Sequence, residues 1–284
     1  MSRPLRHVQP DSIVEVTIKT TQSRRLLRPS RKLNELVLGV LGRALAHYGG
    51  VRLFAFVIMS NHMHLLLQVA DAQALSRFMG FVDGKIASKV GKLHRWRNGF
   101  WMSRYTSITV LDDVALERRL RYVLSHGVKE GLVARVEDWP GASSTPALLR
   151  GRKLYGRWIN ESARGRARRR SKKVRTEDFV TIYEVPLAPL PCWAGLSEGE
   201  RRARVAELVR GVEAEGREVN RELGREPLGA AWVRRQDPHD MPESVSSSPP
   251  PPCHTSDPEL RRHFLEARRE FVEADFAVAQ GEPE

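Results

Sequence analysis

Two histidines separated by one residue, His62 and His64, carry the strongest chemical signal in the chain. They open the run HMHLLLQV at 62–69, which reads as a strand. On a strand the side chains of residues i and i+2 leave the same face, with Cα atoms ~6.5 to 7 Å apart. Both imidazoles can therefore reach one divalent ion while Met63 turns the other way into a core. Such an ion also wants a third protein ligand, which the strand cannot supply, and an open position for a phosphate oxygen. By spacing alone the pair equally fits two histidines held by hydrogen bonds. The surrounding elements have to decide.

Residues 12–20, SIVEVTIKT, alternate apolar and polar and read as a strand, followed by a basic loop with Arg24, Arg25, Arg28 and Arg31. From Lys32 to Tyr48 the positions Leu33, Val37, Leu38, Leu41 and Leu45 recur at helical spacing, and Gly49-Gly50 ends the pattern. Residues 51–58, VRLFAFVI, and 62–69 are short apolar runs joined through Ser60-Asn61, which predicts an antiparallel hairpin. A second amphipathic helix is expected over 73–93. An irregular basic and aromatic stretch, HRWRNGFWMSRY, fills 94–105, a strand 106–111, and a helix opened by Asp112-Asp113 runs over 112–128.

That order predicts an α+β domain, an antiparallel sheet with helices packed on one side, closing near residue 150. Residues 164–175 hold eight basic residues in twelve and read as an unfolded linker or arm within 151–175. Beyond it, 176–284 reads as an acidic helical extension: helices over 197–224 and 258–279, separated by a Pro/Ser linker at 237–256 that cannot pack a core.

Charge follows the same division. The 47 Lys and Arg against 34 Asp and Glu give a net +13, distributed as +12 over residues 1–150, +10 over 151–175 and −9 over 176–284. A basic front and strip with an acidic rear suit a polyanion-binding module, and nucleic acid is the commonest cytoplasmic polyanion of that size. No apolar run reaches the roughly 20 residues a membrane crossing needs, and no apolar segment follows the basic N-terminus. Cys192 and Cys253 are too few for a disulfide framework, so a reducing cytoplasm is expected, with no membrane partner.

Against that background FVIMSNHMHLLLQV at 56–69 resembles the signature of the single-tyrosine HUH endonucleases, most closely the REP-associated, IS200-like tyrosine transposases. This chain has Ser60 where that family usually has Pro. The resemblance continues through LSRFMGFVDGKIASKV at 75–90, GFWMSRY at 99–105, and RYVLSHGVKEGLVARVEDWPGASS at 121–144, four ordered segments over about 130 residues. It implies a ferredoxin-like HUH fold and matches Tyr122 to the catalytic tyrosine, which attacks a DNA phosphodiester and keeps the 5′ phosphate. His126 lies four residues on, sharing a helix face with Tyr122, where the family has Asn. It is competent as a third ligand beside His62 and His64, and an imidazole there moves preference from Mg²⁺ toward Mn²⁺. Gly127 replaces the family's Pro.

The resemblance implies a divalent metal, Mg²⁺ or Mn²⁺, and a single-stranded hairpin or palindromic DNA, nicked and rejoined through phosphotyrosine. Arg121 or Lys129 would favour the phenolate. Independently of the resemblance, Trp96, Trp101 and Tyr105 interleave with Arg95, Arg97 and Arg104, the mixture expected of base stacking with phosphate contact, although Trp101 fits a core position as well. Arg168, Arg169 and Arg170 in the basic strip are further phosphate candidates. Two other readings compete. A domesticated descendant would bind hairpin DNA without cutting it, as the changes at 126 and 127 allow. A metal hydrolase of small phosphate esters would need acidic ligands, for which Asp71 is the nearby candidate.

Overall fold

The computed structural model describes residues 6–170, 173–242 and 249–280. Strand β1, Ile13–Lys19, runs into a basic loop and helix α1, Arg31–His47, whose first turn is capped by Ser30 Oγ accepting from the Leu33 amide at 3.2 Å. The hairpin β2, Val51–Ile58, and β3, His62–Val69, leads to α2, Ala72–His94, then β4, Thr106–Val110, and α3, Asp113–Lys129. After α4, Thr145–Arg150, come β5, Tyr155–Ile159, α5, Glu161–Arg170, β6, Val180–Glu184, α6, Glu198–Glu222, and α7, Ala230–Arg235. A two-residue strand β7, Cys253–His254, precedes α8, Pro258–Gln280. The main sheet has the order β2-β3-β1-β4-β7, antiparallel except for the parallel β4–β7 pair.

The class is α+β with an antiparallel sheet, as expected, but the helices do not lie on one side only. Val14, Val16, Ile18, Met63, Leu65 and Leu67 pack with α1 and α2 on one face. Phe54, Ala55, Val57 and Leu66 pack with Leu116, Leu120, Val123 and Leu124 of α3 on the other. The reason is visible in β2 and β3, whose apolar runs do not alternate because both faces are covered.

Packing does not pause at residue 150. Trp158 of β5 joins the α1–α2 core, while Val205, Val209 and Val212 of α6 join the core beneath α3. Two further readings change with it. The strip at 164–175 is helical over Glu161–Arg170, with residues 171–172 outside the described part. The segment 237–256, read as unable to pack, contributes a buried Cys253 and a strand, its residues 243–248 lying outside the described part.

The antiparallel β5–β6 pair sits on α1 through facing glycines. A Cβ on Gly156 would lie 1.9 Å from the Gly39 amide nitrogen, against backbone that cannot yield. Gly156→Ala is therefore expected to lower stability by about 1–3 kcal/mol, the usual scale of overpacking, in chemical denaturation. An unchanged midpoint would contradict the seating of β5 on α1.

Candidate active site

Register places the histidines. Opposite His64 on β3 stands Thr17 of β1, and opposite His62 stands Lys19, so Glu15, Thr17 and Lys19 share the face from which both imidazoles project. Helix α3 crosses that face and brings His126 down onto it. Ring centroids lie 5.1 Å apart for His62 and His64, 4.1 Å for His64 and His126, and 5.6 Å for His62 and His126. One ring nitrogen from each falls within 4.8 Å of the others, the one such His, Cys, Asp and Glu cluster among the described residues.

The hydrogen bonds orient all three rings alike. His62 Nδ1 donates to Asn61 Oδ1 at 2.7 Å, and His126 Nδ1 to the Tyr122 carbonyl at 2.8 Å. His64 Nδ1 meets Glu15 Oε1 and Thr17 Oγ1, each at 2.9 Å. With Nδ1 occupied on each ring, Nε2 keeps its lone pair. Burial, reinforced by the neighbouring imidazoles, lowers His62 well below its ordinary value and His126 to about 3, so both are neutral and able to ligate at physiological pH. Donor type, tautomer and charge state all fit a divalent transition ion.

Glu15 is the member of the site that sequence reading missed. It is buried, with Oε1 on His64 and Oε2 3.5 Å from the Arg119 guanidinium. Burial would raise its carboxyl, but the His254 and His64 imidazoles set against its oxygens and the charge of Arg119 outweigh that and hold it well below the usual carboxylate range. Its signal in the sequence was an acid inside an apolar strand, IVEVTIK. Asp71, the acid nominated as a ligand, instead caps α2 by accepting from the Ala74 amide at 2.6 Å, at the far end of β3. Asp71→Ala is expected to cost about 0.5–2 kcal/mol in thermal unfolding and to leave metal affinity unchanged. A loss of metal binding in that variant would return Asp71 to the ligand set.

Tyr122 stands beside the cluster, its ring 4.5 Å from that of His126 and 5.5 Å from that of His64. Burial, with the Glu15 charge, raises the phenol above its ordinary value, and Arg119 opposes this. The Arg119 guanidinium lies 4.6 Å and the Lys129 ammonium 4.8 Å from the ring centre. Arg121 does not flank the phenol: it pairs with Glu215 of α6 at 2.5 Å. Arg119, one turn before Tyr122, lies over the ring instead, a position helical spacing would have indicated. A cleft of about 570 Å³ opens here between α3 and α6, lined by Arg118, Arg119, Tyr122, Lys129 and Glu215.

The other nominated residues divide. The stretch 94–105 passes the end of the sheet that carries His62, where the Met102 amide donates to Lys19 O and the Thr21 amide to Phe100 O, both at 2.9 Å. Arg95, Arg97 and Arg104 are exposed there, and Trp96 is half-buried between Arg24 and His239. Trp101 and Tyr105 pack inward. The Trp101 indole donates to Asp83 O at 3.0 Å, and Tyr105 is buried beneath the Arg6 guanidinium. Arg168, Arg169 and Arg170 are exposed on α5, which leaves β5 on the α1–α2 side, across the sheet from the histidines.

No helix among the described residues is long and apolar enough to cross a membrane. Residues 13–126 match the profile of a family described as "Transposase IS200 like". Among solved structures, a REP-associated tyrosine transposase bound to a REP hairpin is similar, with a TM-score of 0.45 and 18% identity over 53% of this chain and 87% of that one. A Deinococcus radiodurans protein provisionally assigned as a transposase gives 0.31 and 17%, over 43% of this chain and 95% of that one. No curated protein sequence matches significantly.

Proposed function

We propose that the chain, whose residues 13–126 match the IS200-like transposase family model, is a metal-dependent endonuclease and strand transferase of single-stranded, hairpin-forming DNA. The observation that carries the reading is the convergence of three histidine rings, each with its Nδ1 already hydrogen bonded, beside a tyrosine on the crossing helix. Mn²⁺ or Mg²⁺ held by His62, His64 and His126 would polarise the scissile phosphate and stabilise the departing 3′ oxygen, and nitrogen-only ligation favours Mn²⁺.

Tyr122 supplies the nucleophile. Its Oη–P bond forms as the P–O3′ bond breaks, leaving the 5′ phosphate on Tyr122, the phenol proton lost and the 3′ oxygen free as a hydroxyl once protonated. A second 3′ hydroxyl can then reverse the step on a new end, which makes the reaction strand transfer as well as nicking. In the resting protein the half-buried phenol keeps its proton. Arg119 and Lys129, poised over its ring, provide the positive field that favours phenolate when DNA enters. Arg95, Trp96, Arg97 and Arg104, at the His62 end of the sheet, would contact the strand leading into the site.

The test is cleavage of end-labelled, hairpin-bearing single strands. Nicking in Mn²⁺ that a chelator abolishes is expected, with the matching duplex left intact. DNA that is demonstrably bound yet stays uncut in both Mn²⁺ and Mg²⁺ would overturn the enzyme reading in favour of a binding protein.

A further inference from the structure

The segment that the sequence presents as a linker ends inside the site. Strand β7 pairs in parallel with β4, Cys253 beside Thr109 and His254 beside Val110, and the Leu111 amide donates to His254 O at 2.9 Å. This attachment carries the His254 ring to the back of the metal cluster. Its Nε2 lies 3.0 Å from Glu15 Oε2, the oxygen left free by His64, within ion-pair distance, and that nitrogen has no hydrogen-bond partner. Glu15 is thus gripped by His64 on one oxygen and by His254 and Arg119 on the other.

The next two residues fix a second part of the site. Asp112, whose Oδ1 caps α3 by accepting from the Ala115 amide at 2.7 Å, also accepts from Thr255 Oγ1 and the Ser256 amide, both at 2.6 Å, and from Ser256 Oγ at 2.9 Å. Four donors on one carboxylate tie the first turn of the helix that bears Tyr122 and His126 to the same stretch of tail. Residues 253–256 therefore hold both halves of the site, one through the carboxylate behind a β3 histidine and one through the cap of α3. Neither contact is needed to bury apolar surface, since Cys253 alone of the four is buried.

We infer that His254 is a positioning residue for the metal centre, fixing the Glu15 carboxylate that orients His64, and that the C-terminal extension completes the site rather than merely following it. The inference rests on the reading of His62, His64 and His126 as a metal centre. A carboxylate behind a ligating histidine fixes ring orientation and raises ligand basicity, and losing such a partner typically costs about 10- to 100-fold in metal affinity. Removing His254 leaves Glu15 held by His64 and a long contact to Arg119, free to turn.

The experiment is titration of the full chain with Mn²⁺, free ion being read by electron paramagnetic resonance, for the wild type, His64→Ala, His254→Ala, His254→Gln and the double variant Thr255→Ala/Ser256→Ala. Thermal melts run beside each titration to identify the folded variants. The glutamine amide can place its nitrogen where Nε2 stood and donate to Glu15, so His254→Gln is expected to bind within about threefold of wild type. His254→Ala is expected to weaken Mn²⁺ by about 10-fold or more. The double variant keeps every residue of the cluster and loosens only the tail, so a smaller weakening is expected there. It also carries the test if His254→Ala does not fold. Wild-type affinity in folded His254→Ala, or in the double variant should the former not fold, would overturn the inference while leaving the metal centre standing. No Mn²⁺ binding by wild type, or binding unchanged in His64→Ala, would overturn the metal reading and this inference with it.

Discussion

A chain carrying His64→Ala is expected to lose metal-dependent nicking altogether. His64 is the central member of the histidine cluster: its ring lies closest to His126, and its Nδ1 engages the buried Glu15 and Thr17. Truncation leaves two of the three proposed ligands, on different elements, and deprives Glu15 of its best-aligned partner. Mn²⁺ affinity should fall by at least about 100-fold, more than the loss of an outer partner costs. His126 refines the same expectation. His126→Ala should weaken the ion strongly, whereas His126→Asn exchanges an imidazole for an amide oxygen and should raise the ratio of Mg²⁺- to Mn²⁺-supported activity. Comparing nicking in the two ions reads this directly. An unaltered ratio in His126→Asn would place His126 outside the ligand set.

Tyr122→Phe should have the other large effect. The substitution removes one oxygen from a ring that packs against His126 and lies under Arg119 and Lys129, so the fold and the cleft are expected to persist. No hydrogen bond from the phenol supports the fold among the described contacts. Without Oη the covalent route closes, and strand cleavage should drop by at least about 10³-fold, the scale on which loss of a nucleophile is felt. Hairpin affinity and Mn²⁺ affinity should stay at wild-type values. A Tyr122→Phe protein that still nicks at a wild-type rate would mean that the ion activates water instead, and the chemistry would be hydrolysis.

The parts of this architecture written in local spacing were legible in the sequence. The hairpin at 51–58 and 62–69 has the predicted bounds, and α1, α2 and α3 begin and end within two residues of their expected limits, because each is bounded by a cap or a turn. His62, His64, Tyr122 and His126 stand together because an i, i+2 pair on a strand and an i, i+4 pair on a helix need only one crossing to meet. What depended on distant pairing was not legible. Glu15 becomes part of the site only because β1 lies beside β3 in a register that puts Thr17 opposite His64. His254 joins it only because four Pro residues at 249–252 lead into a strand that docks on β4. The one-sided placement of helices was correctable from sequence, since unbroken apolar runs in both β2 and β3 mark a sheet covered on both faces. Arg121 was drawn elsewhere by Glu215, a partner 94 residues away along the chain that no local pattern announces.

The most direct measurement is capture of the covalent intermediate. A hairpin-bearing strand that strands its 3′ fragment after cleavage is incubated with the full chain and Mn²⁺, and the denatured protein is digested and analysed by mass spectrometry. The account predicts a peptide containing Tyr122 that carries a 5′-linked nucleotide through its phenol oxygen, absent without metal and absent in His64→Ala. A 5′-phosphonucleotide on Tyr105 or another residue, or cleaved DNA with a free 5′ phosphate and no adduct, would contradict it.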